Sequence, residues 1–146
     1  MITMDTSVFI DLIFEYDSSR TLKAEDVLNT IQERGLEIIN PIVFKVELAG
    51  VLTRKMQIDK VLEIIKDILS EVKLIPNPDD LAFEVALKTG SRAADAYFIA
   101  TAKLTNSILI TNDKIMAINA KKYGVEAYYL IEEFSNAVEK LRELKP

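Results

Sequence analysis

The chain has 146 residues, 49% apolar and 28% charged, with only four glycines and four prolines; this fits one folded domain and excludes a disordered or fibrous chain. It contains no histidine and no cysteine, which excludes disulfides, thiolate or imidazole zinc sites, and nucleophilic triads built on histidine. Eighteen basic and 23 acidic residues give a net charge of −5, which argues against a sequence-blind basic coat for nucleic acid but not against an enzyme whose acidic site is neutralised by cations.

Short apolar runs of strand character alternate with longer helical ones. Ile2-Thr3-Met4 reads as a strand and is followed by Val8, Phe9, Leu12 and Ile13 at helical spacing. Thr21 to Arg34 reads as a helix stopped by Gly35, and Glu37-Ile38-Ile39 as a short strand. Asn40-Pro41 is a helix-start signal, and the helix it opens is expected to run to about Lys55. Gln57 to Ser70 is amphipathic, with Ile58, Val61, Leu62, Ile65, Ile68 and Leu69 on one face. Ile64 beside them makes the stripe wider than one helix on a small sheet must bury.

Val72 to Ile75 reads as a strand, and Asn77-Pro78-Asp79-Asp80 starts a helix that Gly90 ends. Ser91 is expected to cap the helix Arg92 to Leu104. Ser107 to Ile110 is a strand apolar on both faces, as a central parallel strand should be. Lys114 to Tyr123 is helical, Val125 to Leu130 is the last strand, and Glu132 to Leu144 the last helix. Five strands separated by helices, without hairpin turns, predict an α/β fold: an α/β/α sandwich around a five-stranded parallel sheet, in a single domain over 1–146. No apolar run reaches the roughly 18 residues of a membrane span, and Met1 to Asp5 has no basic leader region. The expected setting is cytoplasmic, with no membrane partner.

The isolated glycines form neither a G-x-G-x-x-G nor a P-loop pattern. In open α/β sheets the site lies beyond the carboxyl ends of the strands. Asp5-Thr6-Ser7 follows the first strand there, and Thr111-Asn112-Asp113 the fourth. Asp5 and Asp113 can each be read simply as a helix N-cap. Two acidic residues sit within helices on their apolar stripe. Glu47 has Val43, Phe44 and Val51 as helical neighbours, and Asp95 has Phe98, Ile99 and Ala102. The plainer readings are a buried salt bridge for Glu47 and an intrahelical pair with Arg92 for Asp95. A buried carboxylate costs several kcal/mol unless paired or metal-bound, and oxygen ligands alone point to Mg²⁺ or Mn²⁺.

These four segments, in this order, resemble the acidic motifs of PIN-domain nucleases: Asp5-Thr6-Ser7, Val46-Glu47-Leu48, Ala93-Ala94-Asp95-Ala96 and Thr111-Asn112-Asp113. With Glu132-Glu133-Phe134 near the end, the likeness spans essentially the whole chain and is nearest to VapC-type toxin ribonucleases. The resemblance implies that Asp5, Glu47, Asp95 and Asp113 form a catalytic, metal-binding cluster, with Thr6, Ser7 and Thr111 as polar supports. It implies cleavage of RNA with Mg²⁺ or Mn²⁺, a homodimer, and a small antitoxin partner. Lys45, Arg92 and Lys114 are candidates for contacting RNA phosphates, or else solvated helix surface. Tyr16, Tyr97 and Phe9 could stack on bases or belong to the core. The rival readings are a PIN nuclease of RNA processing without an antitoxin, a non-catalytic α/β binding module whose acids only cap helices, and a phosphatase or receiver-like domain. The last lacks any nucleophile motif around Asp5.

Overall fold

The computed structural model describes all residues, Met1 to Pro146. Strand β1 (Ile2–Met4) leads into helices α1 (Thr6–Ile13) and α2 (Ser18–Glu33). Strand β2 (Ile38–Pro41) follows, then α3 (Val43–Thr53), α4 (Ile58–Leu69) and β3 (Val72–Ile75). Helices α5 (Asp79–Thr89) and α6 (Ala93–Thr105) return the chain to β4 (Ile108–Thr111). Helix α7 (Lys114–Lys122), strand β5 (Ala127–Tyr129) and helix α8 (Leu130–Glu143) complete it. All strand pairs are parallel, in the order β3-β2-β1-β4-β5. Every residue of β1, β2 and β4 is buried, so helices cover both faces of the sheet centre, as a parallel sheet requires. The predicted five-stranded parallel sandwich is the observed fold. No helix is long and apolar enough to cross a membrane.

The topology fixes where a site can form. The chain winds outward from β1 through β2 to β3, then crosses back to lay β4 on the other side of β1. The strand order therefore reverses between β1 and β4, and at such a switch point the loops leaving the two carboxyl ends diverge and open a crevice. The register Ile2↔Ile108, Thr3↔Leu109, Met4↔Ile110 aligns the two ends. The Asp5 N–H donates to Ile110 O at 2.9 Å and extends the ladder to the edge.

Three aromatic rings set the helices beneath that edge. Phe9 of α1 packs on Phe44 of α3 with centroids 4.9 Å apart, and Phe44 meets the edge of Phe98 of α6 at 6.4 Å. All three are buried. Phe44 lies one turn before Glu47 and Phe98 one turn after Asp95, so core packing governs where both carboxylates stand.

Two expectations are corrected. Asn40 and Pro41 do not open a helix; they are the last residues of β2. A residue before proline is disfavoured in the helical region, and Asn40 finds a better use in the sheet. Its Oδ1 accepts from Met4 N at 3.0 Å and its Nδ2 donates to Met4 O at 2.8 Å. The amide thus bridges β1 and β2 where their ladder, paired at Ile2↔Ile38, gives way. The start of α3 is capped from a distance instead, Val43 N donating to Asn77 Oδ1 at 2.9 Å. Ser91 likewise does not cap α6: Arg92 holds the cap position without a side-chain bond, and the Ser91 hydroxyl pairs with Thr89 Oγ1 at 2.6 Å. Gly90 ends α5 as expected, at φ 73°, a left-handed conformation that glycine adopts without a Cβ penalty.

Candidate active site

Asp5 leaves β1 at the switch point and is 5% exposed. It occupies the N-cap position of α1, yet its carboxylate caps nothing, which removes the capping reading for this residue. Oδ2 instead accepts from Ser7 Oγ at 2.6 Å and from Thr111 Oγ1 at 2.8 Å. Asp113 does cap its helix: Oδ1 accepts from Ile115 N at 2.9 Å and Met116 N at 3.2 Å. For Asp113 the capping reading holds for one oxygen and leaves the other available. Glu47, on the second turn of α3, is half-buried and accepts a hydrogen bond at Oε1 from Thr6 Oγ1. Asp95, on the first turn of α6, is also half-buried.

Burial drives the electrostatics. Desolvation pushes the Asp5 carboxyl up to about 6, against the lowering hydrogen bonds of Ser7 and Thr111 and with the help of the charges of Glu47 and Asp95. Asp95 is also pushed up to about 6, by desolvation first, then by repulsion from Asp113 and Glu47; Arg92 offsets part of it. The four acids therefore share one electrostatic environment. No lysine or arginine pairs with any of them within 4 Å, so neither of the plainer alternatives, a salt bridge for Glu47 or an Arg92–Asp95 pair, is formed.

The donor set fits a hard divalent cation. Asp5 Oδ1, Glu47 Oε2, Asp113 Oδ2 and both oxygens of Asp95 take no hydrogen bond from the protein, while the remaining oxygens are oriented by it. No three of these acids form a group that encloses an ion; what fits a hard divalent cation is the chemistry of the donors, carboxylate oxygens without nitrogen or sulfur.

The sequence pattern of the PIN domain matches residues 2–122. The chain belongs to the PIN domain family. PIN domains are generally metal-dependent nucleases. The fold is similar to that of PAE2754 from Pyrobaculum aerophilum, with a TM-score of 0.60 and 19% identity over 98% of this chain and 97% of that one. It is also similar to FitAcB from Neisseria gonorrhoeae, with a TM-score of 0.64 and 17% identity over 88% of this chain and 96% of that one. No curated protein sequence matches the chain.

The predicted cations stand on exposed surface. Lys45 and Arg92 make no ion pair, and Lys114 meets Glu132 of α8 at 3.3 Å. Both partners of that pair are solvent-exposed, so it contributes little. Among the candidate stacking rings, Phe9 belongs to the core and Tyr97 donates to Asp79 Oδ1 at 2.7 Å. Tyr16 is exposed, with the Lys55 ammonium 5.5 Å from its ring centroid. Sequence reasoning missed Asn40, which fixes Met4 immediately before Asp5; the extended preference of a residue before proline was its available signal. Asn112 stood in the quoted Thr111-Asn112-Asp113 segment, but its backbone N–H donating to Ser7 Oγ at 3.0 Å was not legible there.

Proposed function

We propose that this chain is a divalent-metal-dependent endoribonuclease using Mg²⁺ or Mn²⁺, a VapC-type toxin that is held by a small antitoxin protein and works in the cytoplasm as one domain over 1–146. The observation that carries the reading is Asp5: a buried carboxylate without a cationic partner, at the switch point of the sheet, sharing its surroundings with Glu47, Asp95 and Asp113. Membership of the PIN domain family supports the nuclease chemistry.

Asp5, Glu47, Asp95 and Asp113 would hold the ion through their free oxygens. Once bound, it supplies a polarised scissile phosphate, a more acidic water and stabilisation of the leaving oxygen. Ser7 and Thr111 fix the plane of the Asp5 carboxylate, and Thr6 that of Glu47, so that the free oxygens point in set directions. Asp95, with its raised proton affinity and both oxygens unengaged, is the carboxylate suited to accept the proton of the attacking water. Arg92 and Lys45, exposed and unpaired near the N-termini of their helices, and Lys114 would contact phosphates of the RNA.

A homodimer is part of the reading. Helix α4 buries Val61 and Ile65 but leaves Ile58 65% and Leu62 61% exposed, and α5 leaves Phe83 68% and Leu87 71% exposed. These are large apolar groups that an interface between subunits would cover. The deciding experiment is RNA cleavage by wild type, Asp5→Asn and Asp95→Asn, with Mg²⁺, Mn²⁺ or EDTA. Cleavage is expected only from wild type with metal; undiminished cleavage in EDTA refutes the mechanism.

A further inference from the structure

Only two carboxylates in the chain are fully buried, Asp5 and Asp11, and the chemistry above uses one of them. Asp11, on α1, is 2% exposed. Its Oδ2 receives a fork from Arg20 of α2, Nε at 3.2 Å and Nη2 at 3.1 Å. The same oxygen accepts from Asn112 Nδ2, a residue 101 positions away in the loop between β4 and α7.

The Asn112 contact leads to the site through hydroxyl polarity. Asn112 N–H donates to Ser7 Oγ at 3.0 Å, and Asp113 N–H donates to Thr111 Oγ1 at 2.9 Å. Each hydroxyl has one proton, and with a backbone N–H occupying its acceptor side that proton is directed to Asp5 Oδ2. Both donors on Asp5 thus depend on where the backbone of residues 111–113 lies. The Asn112 side chain is what anchors that backbone inward, and Asp11 is what it holds.

We propose that the Asp11–Arg20 pair is a positioning device for the candidate metal centre: through Asn112 it locks the 111–113 loop, aims the Ser7 and Thr111 hydroxyls at Asp5, and sets Asp113 at the crevice. The metal arm of this inference rests on the metal-dependent reading above; the loop arm does not. Asp11 is buried outside the four acids and Arg20 is its partner, so the role assigned to the pair is that of positioning residues.

The test compares wild type, Asn112→Ala, Asp11→Ala and Asp11→Asn, each first checked for cooperative unfolding. Mn²⁺ binding is read from loss of the free-ion paramagnetic resonance signal, and amide hydrogen exchange is followed at residues 112 and 113 in metal-free protein. Asn112→Ala and Asp11→Ala should exchange faster at both amides and bind Mn²⁺ roughly 10–100-fold more weakly, the usual loss when a group orienting a ligand is removed. Asp11→Asn keeps an oxygen for Asn112 Nδ2 and should restore most of both. If Asp11→Ala does not fold, Asn112→Ala decides, since it leaves the Asp11–Arg20 pair intact. Folded Asn112→Ala with wild-type exchange and wild-type Mn²⁺ affinity overturns the proposal and leaves the pair a mere tie between two helices. Failure of folded wild type to bind Mn²⁺ at all overturns the metal reading instead, and the exchange data still decide whether Asp11 holds the loop.

Discussion

Replacing Asp5 by Asn should stabilise the metal-free fold at neutral pH. The carboxyl is moved from 3.8 up to about 6 by burial, opposed by two hydroxyl donors and aided by the charges of Glu47 and Asp95. At about 1.4 kcal/mol per pH unit, that rise sets about 3 kcal/mol against the ionised form in the fold. The asparagine amide keeps an oxygen for Ser7 and Thr111, so both hydrogen bonds survive the exchange while the charge is lost. The sign of the pH dependence follows from the direction of the shift. Below about pH 4 the carboxyl is protonated whether folded or not, and the fold bears no penalty. As pH rises through about 6 the unfolded chain has already ionised freely, the folded chain resists, and stability falls to a plateau.

Urea unfolding in EDTA, followed at several values between pH 4 and pH 8, gives the difference between wild type and Asp5→Asn directly. The two should be similar near pH 4, and Asp5→Asn should lead by up to about 3 kcal/mol above pH 7. The same comparison in excess Mn²⁺ should shrink or reverse the gap, because only wild type gains from binding. A difference that does not vary with pH, or a mutant less stable throughout, would refute the reasoning and make Asp5 an ordinary structural hydrogen-bond acceptor.

Asp113→Ala should lower stability by about 1 kcal/mol by removing the acceptor for Ile115 N and Met116 N. Asp113→Asn should keep that cap, and both changes should abolish metal-dependent cleavage, so thermal melts and RNA assays on the pair separate the two duties. Thr6→Val should leave the fold near wild type and reduce cleavage roughly 10–100-fold by releasing Glu47; unchanged cleavage would show that Glu47 needs no orientation. Leu62→Lys should convert a dimer to a monomer in sedimentation at tens of micromolar, whereas a wild type already monomeric there would count against the interface on α4 and α5.

Local pattern carried most of the fold. The strand Val72–Ile75 reads off the sequence with its observed bounds, and the doubly apolar run Ile108-Leu109-Ile110 correctly marks a central strand. The strand-end acids were legible because parallel sheets place their sites at carboxyl ends. Ser91 lost its cap to a near neighbour, Thr89; the other failures were decided by partners distant in sequence. Asn40-Pro41 carries two opposed signals, a helix start and an extended residue before proline, and the bridge to Met4 settles the matter. The Thr6–Glu47 bond spans 41 positions and Asp11–Asn112 spans 101, so no periodicity contains them. Asp11 left one trace: an acid inside Val8-Phe9-Ile10-Asp11-Leu12-Ile13, an otherwise apolar run.

The four acids come from four separate elements: the end of β1, α3, α6 and the cap of α7. They come to share one electrostatic environment only when the sheet and the Phe9–Phe44–Phe98 contact are in place. An unfolded chain has no such arrangement, so an ion held by these acids, as proposed, would bind the native state alone, and its binding energy would add to the stability of the fold. An ion at about one hundred times its dissociation constant would contribute about 2.7 kcal/mol, close to the burden of about 3 kcal/mol that the Asp5 shift implies. Neutral hydroxyls can orient the Asp5 carboxylate, but they cannot cancel its charge. Ser7 and Thr111 supply the geometry of the Asp5 carboxylate, and on the metal-dependent reading proposed above its counter-charge would come from the bound ion.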